Sequence, residues 1–340
     1  DHPLYKPTLF ALGDFQFANK AFAEAKASFL RLAEIGPAAD KADWTLYRLG
    51  WCHRNLNEPD DAAKVLSKLV ADFPKSDLAP EALCLLAHVA DEQKKPDEAA
   101  ALYARCLKEY PESTYAALAL LDLGLLEFNR KSYPEAAARL KSFVEKHPGH
   151  ASLPEARLHL AEALYETKAY DEALKHFAAF LEKSPDHKLA PRARDGLAWC
   201  HRKLGQCDKA LAEFTANAAA DAKSDLAPQA LFAAATIRMD QKQPAEAAKL
   251  FAHVAADYPT HKLAPEAAYR AASALYAADQ FADAAKGLLA FLDKNPKSDF
   301  TDDALYDLAW ADLKLNKSDD KLAALSRLLK EFPESPFAPS

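Results

Sequence analysis

The sequence predicts an all-α chain, a solenoid of nine antiparallel helix hairpins. Three observations carry that prediction. A proline recurs in one phase, at Pro37, Pro74, Pro111, Pro148, Pro185, Pro259, Pro296 and Pro333, each 37 residues or twice 37 residues from the last. The one skipped place holds Ala222. Apolar residues keep the same phase, with helical spacing. Polar residues or proline then break the pattern at one fixed place in each period, and a connection that short joins antiparallel neighbours.

Counting the residue after each proline as position 1 gives repeats 1–37, 38–74, 75–111, 112–148, 149–185, 186–222, 223–259, 260–296 and 297–333. We read residues 1–333 as one solenoid and 334–340 as the start of a tenth repeat. Apolar residues at positions 9, 12, 13 and 16 or 17 place a first helix near positions 5–18. A second set at 25, 28 or 29, 32 and 33 places another near 22–35. Position 13 is always Gly or Ala, from Gly13 and Gly50 to Ala309, and position 25 is Ala in eight repeats, from Ala25 to Ala284. Position 29 is always large: Phe29, Leu66, Tyr103, Leu140, Phe177, Phe214, Phe251, Leu288 and Leu325. Small residues let two backbones approach, and the large ones fill the space beside them. The position-37 proline stops the second helix. Ser at position 2 (Ser76, Ser113, Ser224, Ser298) and Pro at position 6 (Pro80, Pro191, Pro228, Pro265) suit the start of the next first helix.

Composition narrows the function. The 340 residues are 50% hydrophobic and 27% charged, with a net charge of −7. That is too apolar for a disordered chain. There is no long basic run, which argues against nucleic acid or an anionic membrane surface as partner. No apolar stretch approaches the roughly 18 residues of a membrane span. The chain opens on Asp1 without a Met or a leader, so it reads as a mature or trimmed form without its targeting information. Asp1–Tyr5 reads as the opening of the first repeat and Glu334–Ser340 as the opening of a tenth, which predicts a natural chain longer at both ends.

The small residues at 13 and 25, Leu at 12, an aromatic at 22 (Phe22, Tyr133, Tyr170, Phe281) and the proline at 37 resemble the tetratricopeptide signature. The usual repeat has about 34 residues, and the surplus falls between hairpins, as in Pro74–Pro80. Segments such as Asp303–Trp310 and Phe332–Pro336 resemble one bacterial subgroup, the Tol-Pal-associated periplasmic coordinator and outer-membrane assembly lipoproteins. The resemblance implies a right-handed superhelix whose first helices line a concave groove. It also implies the periplasm or cell envelope of a bacterium.

Two repeats depart from the pattern. The sixth has Cys207 for the usual aromatic, Asn217 at a core-facing position and Ala222 for proline, and the ninth has Lys321 for the small Ala. Looser packing is expected around 207–222 and 318–322.

No catalytic spacing is present: no His-Glu-x-x-His, Gly-x-Ser-x-Gly or phosphate loop. Carboxylates recur at position 24 (Glu24, Glu98, Glu135, Glu172, Glu246), which suits a solvated face. Histidines recur at position 2 (His2, His150, His187, His261), where they stand in for Ser. Successive helices lie roughly 10 Å apart, too far for two of those rings to share a metal. The five cysteines, Cys52, Cys84, Cys106, Cys200 and Cys207, form no Cys-x-x-Cys. Cys52 and Cys200 lie four repeats apart and cannot pair. Cys200 and Cys207 flank one turn and could approach, but small buried thiols are the simpler reading. Free thiols favour a reducing compartment, in tension with the envelope, and leave the cytoplasm as the alternative. We therefore expect no enzyme, cofactor or metal.

The informative set lies on the first helix. Positions 7, 10, 14 and 17 share one face beside the packing stripe. That face carries Trp44, Tyr47, Trp51 and Arg54; Leu118, Leu121, Leu125 and Phe128; Tyr165; Trp199 and Arg202; Tyr269 and Tyr276; Tyr306 and Trp310. Aromatics with Arg dominate interface energies. The tyrosines at 10 and 17 equally suit packing between repeats, and Trp51 and Trp199 have the same second reading. Position 10 also holds Cys84, Asp195 and Phe232, a variety typical of a surface. The expected function is a non-catalytic scaffold holding a protein or peptide in the groove. The alternatives are a structural envelope component that self-associates through uncapped ends, and the helical arm of an enzyme whose catalytic domain lies outside this sequence.

Overall fold

The computed structural model describes residues 3–37 and 41–337. All the regular elements among them are helices. The first helices are α1 (Tyr5–Ala18), α3 (Ala42–Asn55), α5 (Ala79–Glu92), α7 (Thr114–Asn129), α9 (Leu153–Glu166), α11 (Ala190–Lys203), α13 (Leu226–Asp240), α15 (Ala264–Ala277) and α17 (Thr301–Lys314). The second helices are α2 (Phe22–Ile35), α4 (Pro59–Asp72), α6 (Pro96–Glu109), α8 (Tyr133–Lys146), α10 (Tyr170–Lys183), α12 (Cys207–Ala220), α14 (Pro244–Asp257), α16 (Phe281–Lys294) and α18 (Ser318–Glu331). Every second helix spans positions 22–35. First helices span 5–18, except that α7 and α13 begin slightly earlier. Residues 1–168 and 169–340 form two compact units. In each, neighbouring helices in sequence pack on one another, hairpin against hairpin.

One device ends the first helices. The residue at position 20 is left-handed, from Lys20 (φ 60°) to Asn316 (φ 60°), and only Gly205 (φ 73°) is a glycine there. In the third hairpin the Lys94 N–H donates to the Asp91 carbonyl at 2.8 Å and the Lys95 N–H to the Ala90 carbonyl at 2.9 Å. These bonds satisfy carbonyls that the helix leaves open. The next helix is begun by position 2. Ser76 Oγ accepts from the Leu78 N–H at 3.1 Å. His150, His187 and His261 do the same through Nδ1, at 3.1 to 3.2 Å. Imidazole therefore replaces hydroxyl as the acceptor of one turn. His2 lies outside the described residues.

The small positions serve close approach. A Cβ on Gly50 would lie 2.5 Å from Leu66 Cδ2. A Cβ on Gly196, at position 11 of α11, would lie 2.3 Å from the Phe177 ring of α10. Position 29 is buried in the first eight hairpins, where Phe29, Leu66, Leu140, Phe177, Phe214, Phe251 and Leu288 are each at most 1% exposed; in the ninth, Leu325 is half-buried. The position-24 carboxylates are exposed, as a solvated face requires.

The irregular repeats carry visible costs. Asn217 is 4% exposed, and its Nδ2 donates to the Pro191 carbonyl at 3.0 Å. Its Oδ1 has no partner. Lys321 places its ammonium over the Trp310 ring, 5.7 Å from the centroid. A cleft of about 290 Å³ opens beside it between α16, α17 and α18, lined by Leu292, Leu308 and Ala324 among others.

Candidate partner-binding face

The side chains predicted to share a first-helix face fall into three groups. Trp44 and Trp310 are open, at 37% and 39% exposed. Trp51, Arg54, Phe128, Tyr165, Trp199, Arg202, Tyr269, Tyr276 and Tyr306 are half-buried. Tyr47 and Leu121 are buried, at 6% and 5%, which corrects the expectation that they offer surface. The reason is geometric. Position 10 looks toward position 32 of the second helix in its own hairpin, so Cys84 and Leu158 are buried there as well. Tyr47 is held within the fold: burial first, and then a hydrogen bond with Glu81, raise its phenol above the usual range. Position 10 is thus buried at Tyr47, Cys84, Leu121 and Leu158 and half-buried at Phe10, Asp195, Phe232, Tyr269 and Tyr306. Positions 7, 14 and 17 remain as the face.

On that face one arrangement occurs twice. The Arg54 guanidinium lies over Trp51, 5.5 Å from the ring centroid, and its Nη2 donates to Glu92 Oε1 at 2.5 Å. Four repeats on, the Arg202 guanidinium lies 5.3 Å from the Trp199 centroid, and Arg202 Nη2 lies 3.4 Å from Asp240 Oδ2. Each acid stands at position 18 of the following first helix. Arg54 is also the leading cause that holds the Glu92 carboxyl below its usual range. Exposed pairs of this kind contribute little stability, about 1 kcal/mol or less. Their effect is to hold the guanidinium over the indole.

Other first-helix contacts follow the same logic. Arg48 donates to Asp14 at 2.7 Å and lies over Phe17 and Trp44, at 4.5 and 5.4 Å. Phe128 meets His159 edge-on at 5.2 Å and Tyr133 at 5.5 Å. The Tyr269 hydroxyl donates to Asp307 at 3.1 Å, and its ring stacks on Phe300 at 5.5 Å. Tyr276 meets Phe281 at 5.3 Å. Tyr306 stacks on Phe337 at 4.5 Å and meets Trp310 at 5.9 Å. Beside Trp199 sits Asp195, whose carboxyl burial raises to about 6 against the opposing hydrogen bond of Trp199.

Sequence reasoning missed Glu92, Asp240 and Asp14, and read Asp195 only as variety at position 10. The first two pair with a residue 38 positions back, one repeat plus one. An acid at position 18 wherever the preceding repeat has Arg at 17 is the signal that would have found them.

Among the described residues one group has metal-like proximity: His53, Glu58 and Asp61 offer donor atoms within 4.8 Å of one another. The Lys26 ammonium already sits 2.7 Å from Glu58, competing with a cation for the same carboxylate. Lys26 first and His53 second hold that carboxyl below its usual range. His53 meets Glu58 at 2.6 Å, and His201 meets Gln206 at 2.8 Å in the same positions. The contact is a clamp across the hairpin turn. No described helix is long and apolar enough to cross a membrane.

Family models describe the repeats. A tetratricopeptide repeat-like domain model matches residues 75–225 and a tetratricopeptide repeat model matches 44–76. A model described as outer membrane lipoprotein matches 224–340. No curated protein matches the chain. Among solved structures, the C-terminal part of a TPR repeat-containing protein from Cytophaga hutchinsonii is 18% identical, with a TM-score of 0.61 over 76% of this chain and 98% of that one. A Naa15/Naa10 structure bound to HypK-THB is 19% identical, with a TM-score of 0.54 over 87% of this chain and 43% of that one. A tetratricopeptide repeat protein from Parabacteroides merdae is 18% identical, with a TM-score of 0.49 over 78% of this chain and 98% of that one. At these identities the likeness to the first two concerns the fold.

Proposed function

We propose that this chain, which belongs to the tetratricopeptide-repeat superfamily, is a non-catalytic scaffold that holds a protein or peptide along its first-helix face. The reading takes the nine repeats as one continuous array with that face lining a groove. The supporting observation is the repeated Trp–Arg–acid arrangement, at Trp51–Arg54–Glu92 and Trp199–Arg202–Asp240. An indole already braced by a guanidinium loses little freedom when a partner covers it, so its contact area converts well into affinity. Trp44 and Trp310 extend the same face, and Phe128, Tyr165 and Tyr276 flank it.

The test has two steps. A pull-down with the intact chain, read by mass spectrometry, supplies the partner. Trp51→Ala combined with Trp199→Ala then weakens binding by about 2 kcal/mol or more, with helicity retained. Unchanged affinity of the double variant, or a collapse of its helical signal, sinks the proposal.

The outer membrane lipoprotein match over 224–340 supports a place in a bacterial envelope. Cell fractionation of the native protein checks this, and a purely cytoplasmic pool refutes it. A second reading is a structural envelope component that assembles through its ends; in this sequence Leu12 and Phe15 of α1 and Leu322 and Leu329 of α18 are exposed. Sedimentation velocity over a concentration range separates the readings. End-to-end assembly is lost in Phe15→Glu and untouched by the tryptophan variants.

A further inference from the structure

We propose that Cys84 and Cys106 are an oxidisable pair, joined into a disulfide that ties α5 to α6 when the chain meets a small-molecule disulfide such as glutathione disulfide. The inference stands apart from the scaffold reading and rests on the core of the third hairpin.

The two sulfurs face each other at positions 10 and 32, 3.8 Å apart. Neighbouring hairpins fill those positions with the apolar pairs Tyr47 and Leu69, and Leu121 and Phe143. Here the pair is two thiols, 2% and 0% exposed, within one apolar cluster. To bond, the two sulfurs must close from 3.8 Å to about 2.05 Å. Cys106 Sγ also lies 3.6 Å from the Pro80 carbonyl, an acceptor for its S–H. The Cys84 S–H in turn donates to Cys106. That shared contact, and then burial, raise the Cys84 thiol, and the same contact lowers Cys106.

Thiol–disulfide exchange then joins the pair in two steps, which either thiol can open and which balance alike from Cys106 or from Cys84. From Cys106, the thiolate attacks one sulfur of glutathione disulfide. A Cys106–glutathione bond forms and one glutathione thiolate leaves. Cys84 then gives up its proton and attacks the Cys106 sulfur, expelling the second glutathione thiolate. The protein loses two electrons and two protons, and one glutathione disulfide becomes two glutathione thiols. Both sulfurs are covered, so entry requires local opening of the hairpin, the kind of fluctuation that repeat units undergo.

The test uses the whole chain in two arms: folded protein held in glutathione disulfide, and protein refolded from urea into the same buffer. Alkylation, digestion and mass spectrometry then read the pairing. The expected result is a linked Cys84–Cys106 peptide pair in at least one arm, with reactive thiols falling from the five of the sequence to three. The linked form unfolds at higher urea than the reduced form. Cys84→Ser, checked for helicity, abolishes the link and leaves Cys106 as a glutathione adduct. Five free thiols in both arms, a link through Cys207 in place of this one, or a link that persists in Cys84→Ser each overturns the assignment.

Discussion

Replacing Gly196 by alanine sets two known effects against each other at the junction of α10 and α11. Alanine is a better helix former than glycine, a gain of about 0.8–1.0 kcal/mol in an open helix interior. At this site the new methyl would lie 2.3, 2.5 and 2.8 Å from three atoms of the Phe177 ring. Carbon atoms in contact sit about 3.5–4.0 Å apart, so ring or helix must yield by more than an ångström. Phe177 is 1% exposed, so the ring cannot yield toward solvent without opening the core. Forcing a methyl into a filled core costs about 1–3 kcal/mol. The clash therefore outweighs the propensity, with a net loss of about 1 kcal/mol. Urea unfolding followed by far-UV circular dichroism measures the total, and hydrogen exchange locates it in α10 and α11. Gly149→Ala is the control, because nothing lies within 4 Å of its added Cβ. A Gly196→Ala midpoint equal to or above the parent's would refute close packing at this junction.

Two further predictions concern the sixth hairpin. Burial raises the Asp195 carboxyl from 3.8 to about 6, so the folded chain binds that proton more tightly than the unfolded chain. Its contribution to stability is complete below the unfolded value near 4 and is lost as pH rises through 6, on the order of 3 kcal/mol in all. Asp195→Asn should flatten the pH dependence of unfolding between pH 4 and 7 and be more stable than the parent at neutral pH; parallel curves for the two proteins would contradict this. Asn217→Leu removes a buried amide oxygen that has no partner and restores the leucine found at the same position as Leu69. Its thermal midpoint should rise, by the equivalent of about 1 kcal/mol; a fall would mean that the bond to the Pro191 carbonyl outweighs the orphaned oxygen.

Much of the fold was legible because each hairpin repeats a local rule. Gly50 facing Leu66, and Ala161 in the same register as Gly13, follow from small and large residues at a fixed offset, which periodicity exposes. The left-handed residue at position 20 was not legible, because Lys94, Lys131 and Lys242 carry none of glycine's signature. The backbone bonds closing the turn impose that conformation on ordinary side chains. The candidate face was legible only in outline. Helical spacing put Tyr47, Trp51 and Trp199 on one side of a helix, but spacing does not say which rows lie under the second helix. Packing placed Tyr47 and Leu121 inside and left Trp44 and Trp310 open.

The sequence by itself determined the helices, their 37-residue phase and the core at positions 13, 25 and 29. Those depend on contacts within a hairpin and with its neighbour, which recur at fixed sequence offsets. Tertiary structure alone decided the pairings that need two particular residues to meet: Arg54 with Glu92, Arg202 with Asp240, and Cys84 with Cys106. They join residues 38 or 22 positions apart on different helices, and their distances depend on how closely those helices pack. Periodicity names the helix face that carries a residue, and only the packed structure shows which partner sits across from it.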